Sequence, residues 1–197
     1  MSADEPLDRA RIEQAFRVMG QYLLDRKVFG EIAIYGGSAI LFQFSWRKTS
    51  QDVDARIISD SNHGLVIEAV REAAKKLGLS QSWLSESVSV YARRNEGLAD
   101  RVFIGVYPSP ERFGLRVTAA KPAYILAMKL KALERSTIDD RDFHDAANLG
   151  MECDINTVDE LHAVFREFFP DQELSPAAEL RIREVAIELQ ARSSPKE

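Results

Sequence analysis

Gly36-Gly37-Ser38 and Asp52-Val53-Asp54 are the residues of this chain whose types and spacing point most directly to chemistry, with thirteen residues between Ser38 and Asp52. Side chains along a strand alternate faces, so Asp52 and Asp54 on one strand point the same way, about 7 Å apart at their Cα atoms, while Val53 faces the core. Two carboxylates held side by side repel, and a divalent cation relieves that repulsion. An all-oxygen donor set favours Mg²⁺ or Mn²⁺. Upstream, a glycine pair lets backbone approach a ligand closely, and a helix starting there offers free N–H groups to an anion. Ser38 can add a hydroxyl. Alone, a Gly-Gly step is usually turn punctuation and a D-x-D pair usually a solvated face. Together, on neighbouring strands, they outline a nucleotidyl- or phosphoryl-transfer site.

The elements that must position these residues follow from periodicity. Residues 7–28 carry a helical apolar stripe through Ile12, Phe16, Met19 and Leu23. Residues 32–35 read as a short buried strand, broken by Gly36-Gly37. A helix over 38–44 follows, with Ser38 as its N-cap. Residues 45–51 are a polar connector, 52–58 a strand, 59–64 a turn and 65–77 a helix. Residues 79–99 fit either a helix and loop or a strand near 87–91. Residues 101–107 and 115–118 read as strands around a turn at 108–114. Pro122 opens a helix to about 135, and 140–149 form another. Thr157 and Glu160 make a capping box, and Ser175-Pro176 opens the last helix, to about 190. The fold expected is therefore α/β (α+β): a mixed sheet with flanking helices over 1–120, followed by a helical region over 121–197.

Composition narrows the function classes. The 197 residues carry 26 Lys and Arg against 31 Asp and Glu, a net charge of −5, so the basic coat of a general nucleic-acid binder is missing. The single cysteine, Cys153, excludes an internal disulfide framework and a multi-cysteine metal cluster, and fits a reducing, cytoplasmic setting. No apolar run approaches the roughly 18 residues of a membrane helix, and the N-terminus shows no signal-peptide pattern.

The paired motifs resemble those of the DNA polymerase β-type nucleotidyltransferase superfamily, and most closely the AbiEii/AbiGii-type toxin nucleotidyltransferases. The matching residues are Gly36, Gly37, Ser38, Arg47, Thr49, Asp52 and Asp54, followed by Leu126-Ala-Met-Lys129-Leu-Lys-Ala132-Leu133, Arg135 and Arg141-Asp142-Phe-His-Asp145. The resemblance covers roughly residues 30–150. It implies a nucleotidyltransferase-like fold, Mg²⁺ (or Mn²⁺) on Asp52 and Asp54, and NTP phosphates at Gly36, Gly37, Ser38, Arg47 and Thr49. It further implies Lys129 on phosphate oxygens and Asp142 at the rim of a catalytic site. The reaction implied moves an NMP from an NTP to a tRNA end or a protein side chain, as the toxin of a toxin–antitoxin or phage-defence pair.

Other readings of the same residues stand beside these. Lys129 is equally a solvated helix residue, and Arg141, Asp142 and Asp145 an intrahelical charge cluster. Trp46 and Trp83 can stack a base or simply pack. Arg47, Lys48, Arg93, Arg94, Arg101, Lys121, Lys129, Lys131, Arg135 and Arg141 supply local positive charge. One departure matters: the superfamily takes a third carboxylate from a later strand, and the strand expected to carry it, 101–107, has no acid. Asp100 and Glu111 sit in the loops around it. A nucleotidyltransferase-like protein that binds nucleotide or a partner without turnover is thus the alternative.

Overall fold

In the computed structural model, residues 5–90, 96–134 and 141–193 are described. The chain divides into two compact units, Met1–Ala120 and Lys121–Glu197.

The first unit is a mixed five-stranded sheet with helices. Its elements run β1 (Leu7–Asp8), α1 (Arg9–Asp25), β2 (Gly30–Ile34), α2 (Gly36–Gln43), β3 (Thr49–Ser50), β4 (Val53–Ile57), α3 (His63–Leu77), β5 (Leu84–Ser85), β6 (Arg101–Pro108) and β7 (Phe113–Ala120). The sheet order is β5-β4-β2-β7-β6, and β1 and β3 form a separate antiparallel pair. β2 is central, antiparallel to β4 and parallel to β7. The alternation expected of a half-buried strand is complete in β4, where Val53, Ala55 and Ile57 are buried and Asp54 and Arg56 are not.

Helix α1 begins where Asp8 accepts a hydrogen bond from Arg11 N–H, and buries Ile12, Phe16, Met19 and Leu23. It lies against the β6–β7 hairpin almost backbone to backbone. A Cβ at Gly20 would stand 2.3 Å from the Tyr107 carbonyl oxygen, and one at Gly114 would stand 2.5 Å from Gly20 O and Leu24 N. No side chain can step aside there. Gly20→Ala is therefore expected to destabilise the protein by about 3 kcal/mol, the upper part of the usual overpacking range. Urea unfolding checks this, and a cost under about 1 kcal/mol would show that the helix slides freely.

Ser38 corrects an expectation. It is not the N-cap of α2; Tyr35 is, in extended conformation and without a side-chain cap. Gly36, at φ +57°, turns the chain tightly enough for the helix to start two residues earlier. The first turn closes through Ala39 N–H to Tyr35 O at 3.1 Å. Ser38 is carried inward, 1 % exposed, and donates its hydroxyl to the same carbonyl at 2.9 Å.

The second unit is helical: α4 (Pro122–Ala132), α5 (Arg141–Glu152), α6 (Val158–Phe168) and α7 (Pro176–Ser193). α4 packs on the other three, with Tyr124 stacked on Phe168 at 4.8 Å between centroids. The capping box is present: Thr157 accepts from Glu160 N–H, and the Glu160 carboxylate accepts from Thr157 N–H. Hydrogen bonds from Asn156 N–H, the Thr157 hydroxyl and Thr157 N–H hold the Glu160 carboxyl below its ordinary pKa. Ser175 caps α7 through Ala178 N–H. No helix among the described residues is long and apolar enough to cross a membrane.

Candidate functional site

Adjacent antiparallel strands bring the glycine turn and one of the carboxylates together. β2 ends at Ile34, opposite Ala55 of β4, and one step further Tyr35 N–H donates to Asp54 O at 2.9 Å. Gly36 follows at once. A Cβ there would lie 2.7 Å from Asp54 Oδ2, so the carboxylate rests against the bare Cα of the turn. At Gly37 a Cβ would meet Ser50 Oγ at 2.9 Å and Arg47 Nη2 at 3.0 Å. Arg47 is held there by Nε–H donating to Thr49 O at 2.9 Å. Thr49 and Ser50 are fixed by pairing with Asp8 and Leu7 across β1–β3. Gly36, Gly37, Arg47, Thr49 and Asp54 thus form one neighbourhood, which combines glycine backbone, the start of α2, a guanidinium and a carboxylate. Ser38 contributes position rather than a hydroxyl, since its Oγ is buried on Tyr35 O. Asp52 precedes β4 by one residue, where the chain bends between β3 and β4, and is half-buried.

The sheet register extends this neighbourhood sideways. Ser85 pairs with Asp54, and Arg101 with Ala120. Carrying the β2–β7 register one residue past Ile34 and Ala119 sets Tyr35 beside Ala120. One row therefore reads Ser85, Asp54, Tyr35, Ala120, Arg101. Partners in a row share a face, and it is the face opposite Gly30, where a Cβ would meet Val66 of α3 and Leu23 of α1. On it the Glu96 carboxylate accepts hydrogen bonds from Tyr35 Oη and, at 2.8 Å, from Arg101 Nε. The side chains of Arg101 and Glu96 are 6 % and 0 % exposed. Burial pulls the Arg101 pKa down, but the Glu96 hydrogen bond and charge outweigh it and raise the pKa above its ordinary value.

The strand beside β4 is β5, not 101–107, and this relocates the question of a third acid. β6 lies at the far edge, three strands from β4. The residue directly opposite Asp54 is Ser85, and Ser87 Oγ donates to Asp54 Oδ1 at 3.4 Å. Glu86 turns away to His63, at 3.0 Å. Among the described residues no group of three or more His, Cys, Asp or Glu side chains is arranged to hold a metal. The donor chemistry of Asp52 and Asp54 still suits Mg²⁺, which is commonly held by one or two carboxylates together with substrate phosphates rather than by an all-protein cage. Ser85→Asp would put a second carboxylate in that row, directly beside Asp54. Its expected effect is about tenfold tighter Mn²⁺ binding, equivalent to about 1.4 kcal/mol, read by calorimetry. An unchanged Mn²⁺ affinity would separate the row from any cation site.

Lys129 and Asp142 belong to the helical unit and are joined to each other. Lys129 Nζ lies 2.6 Å from Asp142 Oδ1 and 2.8 Å from Asp145 Oδ2, with Asp145 only 3 % exposed at its side chain. The ammonium, placed on phosphate oxygens by the resemblance, is already neutralised by two carboxylates. Of the other cations, Lys121 reaches Glu167 and Lys131 donates to Gln172. Arg93, Arg94 and Arg135, and the helix start expected at Asp140, lie outside the described residues. Trp83 is buried, with Nε1–H on Val70 O, while Trp46 stacks on Phe44 at 5.7 Å. Arg9, Arg47 and Lys48 line a cleft of about 500 Å³.

Sequence reasoning passed over Ser50, Ser85, Tyr35 and Glu96. Serines in turn-rich stretches carry no distinguishing pattern, and Glu96 follows a segment without periodicity. Compared with protein-family models, curated proteins and solved structures, the chain matches none.

Proposed function

We propose that the first unit is a Mg²⁺-assisted nucleotidyltransferase that moves an NMP from an NTP to an acceptor hydroxyl. The observation that carries this reading is the contact of Asp54 Oδ2 with Gly36, which sets a carboxylate beside the glycine turn at the start of α2. In the reaction, an acceptor oxygen attacks the α-phosphorus in line and pyrophosphate leaves. The bare Gly36 lets Asp54 and Gly37 lets Arg47 close on the turn, the start of α2 offers N–H groups to the phosphates, and Arg47 offsets their charge. Asp52 and Asp54 would hold the ion, which would supply neutralisation of the triphosphate and of the leaving group. Positioning and charge, not a covalent enzyme intermediate, account for the rate. The acceptor as a tRNA end or a protein side chain and the antitoxin partner rest on the resemblance in sequence alone, and the cytoplasmic setting on the single cysteine.

Ser85 opposite Asp54 favours one other reading, nucleotide binding without turnover, because no acid completes the row. One experiment separates the two. The full chain is incubated with each α-labelled NTP, Mg²⁺ and total RNA or cell lysate, beside Asp54→Asn and Asp52→Asn. Label transferred by the unmodified protein and lost in both variants supports transfer. Nucleotide binding without label transfer supports the second reading. Absence of any binding by calorimetry with Mg²⁺ present removes both.

A further inference from the structure

We infer that Glu96 and Arg101 are positioning residues for the glycine turn, acting through Tyr35 from the far edge of the sheet. The inference rests on the reading of that turn as a phosphate site. Tyr35 is the hub of the arrangement. Its N–H donates to Asp54 O, and its carbonyl accepts from Ala39 N–H and from Ser38 Oγ, which ties the D-x-D strand to the first turn of α2. The next residue, Gly36, has φ +57° and touches Asp54 Oδ2. A small rotation at Tyr35 therefore changes the gap between turn and carboxylate directly.

The ring of Tyr35 is what resists that rotation. It is fully buried, and its hydroxyl donates to Glu96. The other oxygen of Glu96 is held by Arg101 Nε, and Arg101 is itself fixed by the β6–β7 ladder opposite Ala120. Ala120, between Tyr35 and Arg101 in the row, carries only a methyl group. A fully buried carboxylate is costly to place unless it is paired and hydrogen-bonded. Here the pairing also orients: one oxygen faces the cation on β6 and the other faces the tyrosine before the turn. Unlike Arg47, this pair takes no part in contacting the ligand.

The test uses the full chain in four forms: unmodified, Tyr35→Phe, Arg101→Lys and Arg101→Met. Backbone amide exchange is followed by NMR at a temperature where circular dichroism shows every form folded. MgATP, MgCTP, MgGTP and MgUTP are then titrated by calorimetry. Tyr35→Phe removes one oxygen and leaves the ion pair intact. It should raise exchange at Tyr35 and Ala39, whose N–H groups are bonded to Asp54 O and Tyr35 O, about tenfold, as expected for losing a hydrogen bond to a charged group, without a matching rise in the interior of β7. The affinity for the nucleotide that binds should fall by a similar factor. Arg101→Lys, which keeps the charge, should lie near the unmodified protein, and Arg101→Met should behave like Tyr35→Phe or worse. Unchanged exchange at the turn in Tyr35→Phe, or a rise spread equally over the sheet, would overturn the inference even if Arg101→Met fails to fold. A protein whose unmodified form binds none of the four nucleotides, yet shows the turn-confined rise, keeps the positioning role and loses the phosphate reading.

Discussion

Gly36→Ala is expected to abolish nucleotide binding while leaving a folded protein. Two costs act at this position, and they can be separated. The first is conformational: φ is +57°, and a residue with a Cβ in the left-handed region loses roughly 1–2 kcal/mol. The second is local space: the new methyl would stand 2.7 Å from Asp54 Oδ2, closer than real Cβ contacts allow. The obstructing atom ends a side chain, so the carboxylate moves rather than the backbone, and the protein survives. What is lost is the arrangement of turn and carboxylate. Binding should fall at least about 100-fold, equivalent to about 2.7 kcal/mol.

Gly78 supplies the control. It closes α3 at φ +63°, and a Cβ there would have nothing within 4 Å. Gly78→Ala therefore carries the conformational cost alone. Both variants should lose similar stability in urea, and only Gly36→Ala should lose nucleotide, read by calorimetry with Mg²⁺ present. Equal nucleotide affinity in the two would mean that Asp54 and the turn do not form a common site. Gly36→Asn sharpens the comparison, because asparagine tolerates the left-handed region but still brings a Cβ. It should bind as poorly as the alanine variant.

The elements that sequence reasoning reached were those with a period or a cap long enough to register. β4 alternates over five residues, α1 repeats its apolar stripe over four turns, and α6 announces itself with Thr157 and Glu160. The three two-residue strands, β1, β3 and β5, are too short to show alternation, and they are where the site is tied down. β3 fixes Thr49 and Ser50 beside Arg47, and β5 sets Ser85 against Asp54. Strand neighbours are likewise not written in strand order. The chain leaves β4, crosses through α3 and returns parallel as β5, so the residue facing Asp54 comes from a stretch that read either as a helix and loop or as a strand near 87–91. Ser38 shows a different limit. Its capping preference is sound as a rule, but the positive φ of Gly36 starts the helix earlier and turns the serine inward. Glu96 gives no sequence signal at all. Its role comes from two partners, sixty-one residues upstream and five downstream.

Lys129 is where the reading by resemblance and the geometry part most clearly, and Lys129→Met tells them apart. In α4 the ammonium sits between Asp142 at 2.6 Å and Asp145 at 2.8 Å, and the two acids belong to α5. The lysine is 13 % exposed and Asp145 3 %. Removing the cation leaves a buried carboxylate without its ammonium and brings two acids of one helix face together. A buried pair broken on one side costs about 3–5 kcal/mol. Lys129→Met should therefore destabilise the protein by about that amount, read from urea unfolding. Asp142→Asn should cost less, under about 1 kcal/mol, because Asp142 is a third exposed and solvent screens it. The double variant Lys129→Met/Asp145→Leu, which replaces the pair by apolar groups, should recover most of the loss. Nucleotide affinity decides the rest. Measured where each variant is folded, it should be the same for Lys129→Met as for the unmodified protein if the lysine serves only to join α4 to α5. A fall in affinity that the double variant does not repair, while stability returns, would instead put the Lys129 ammonium on phosphate.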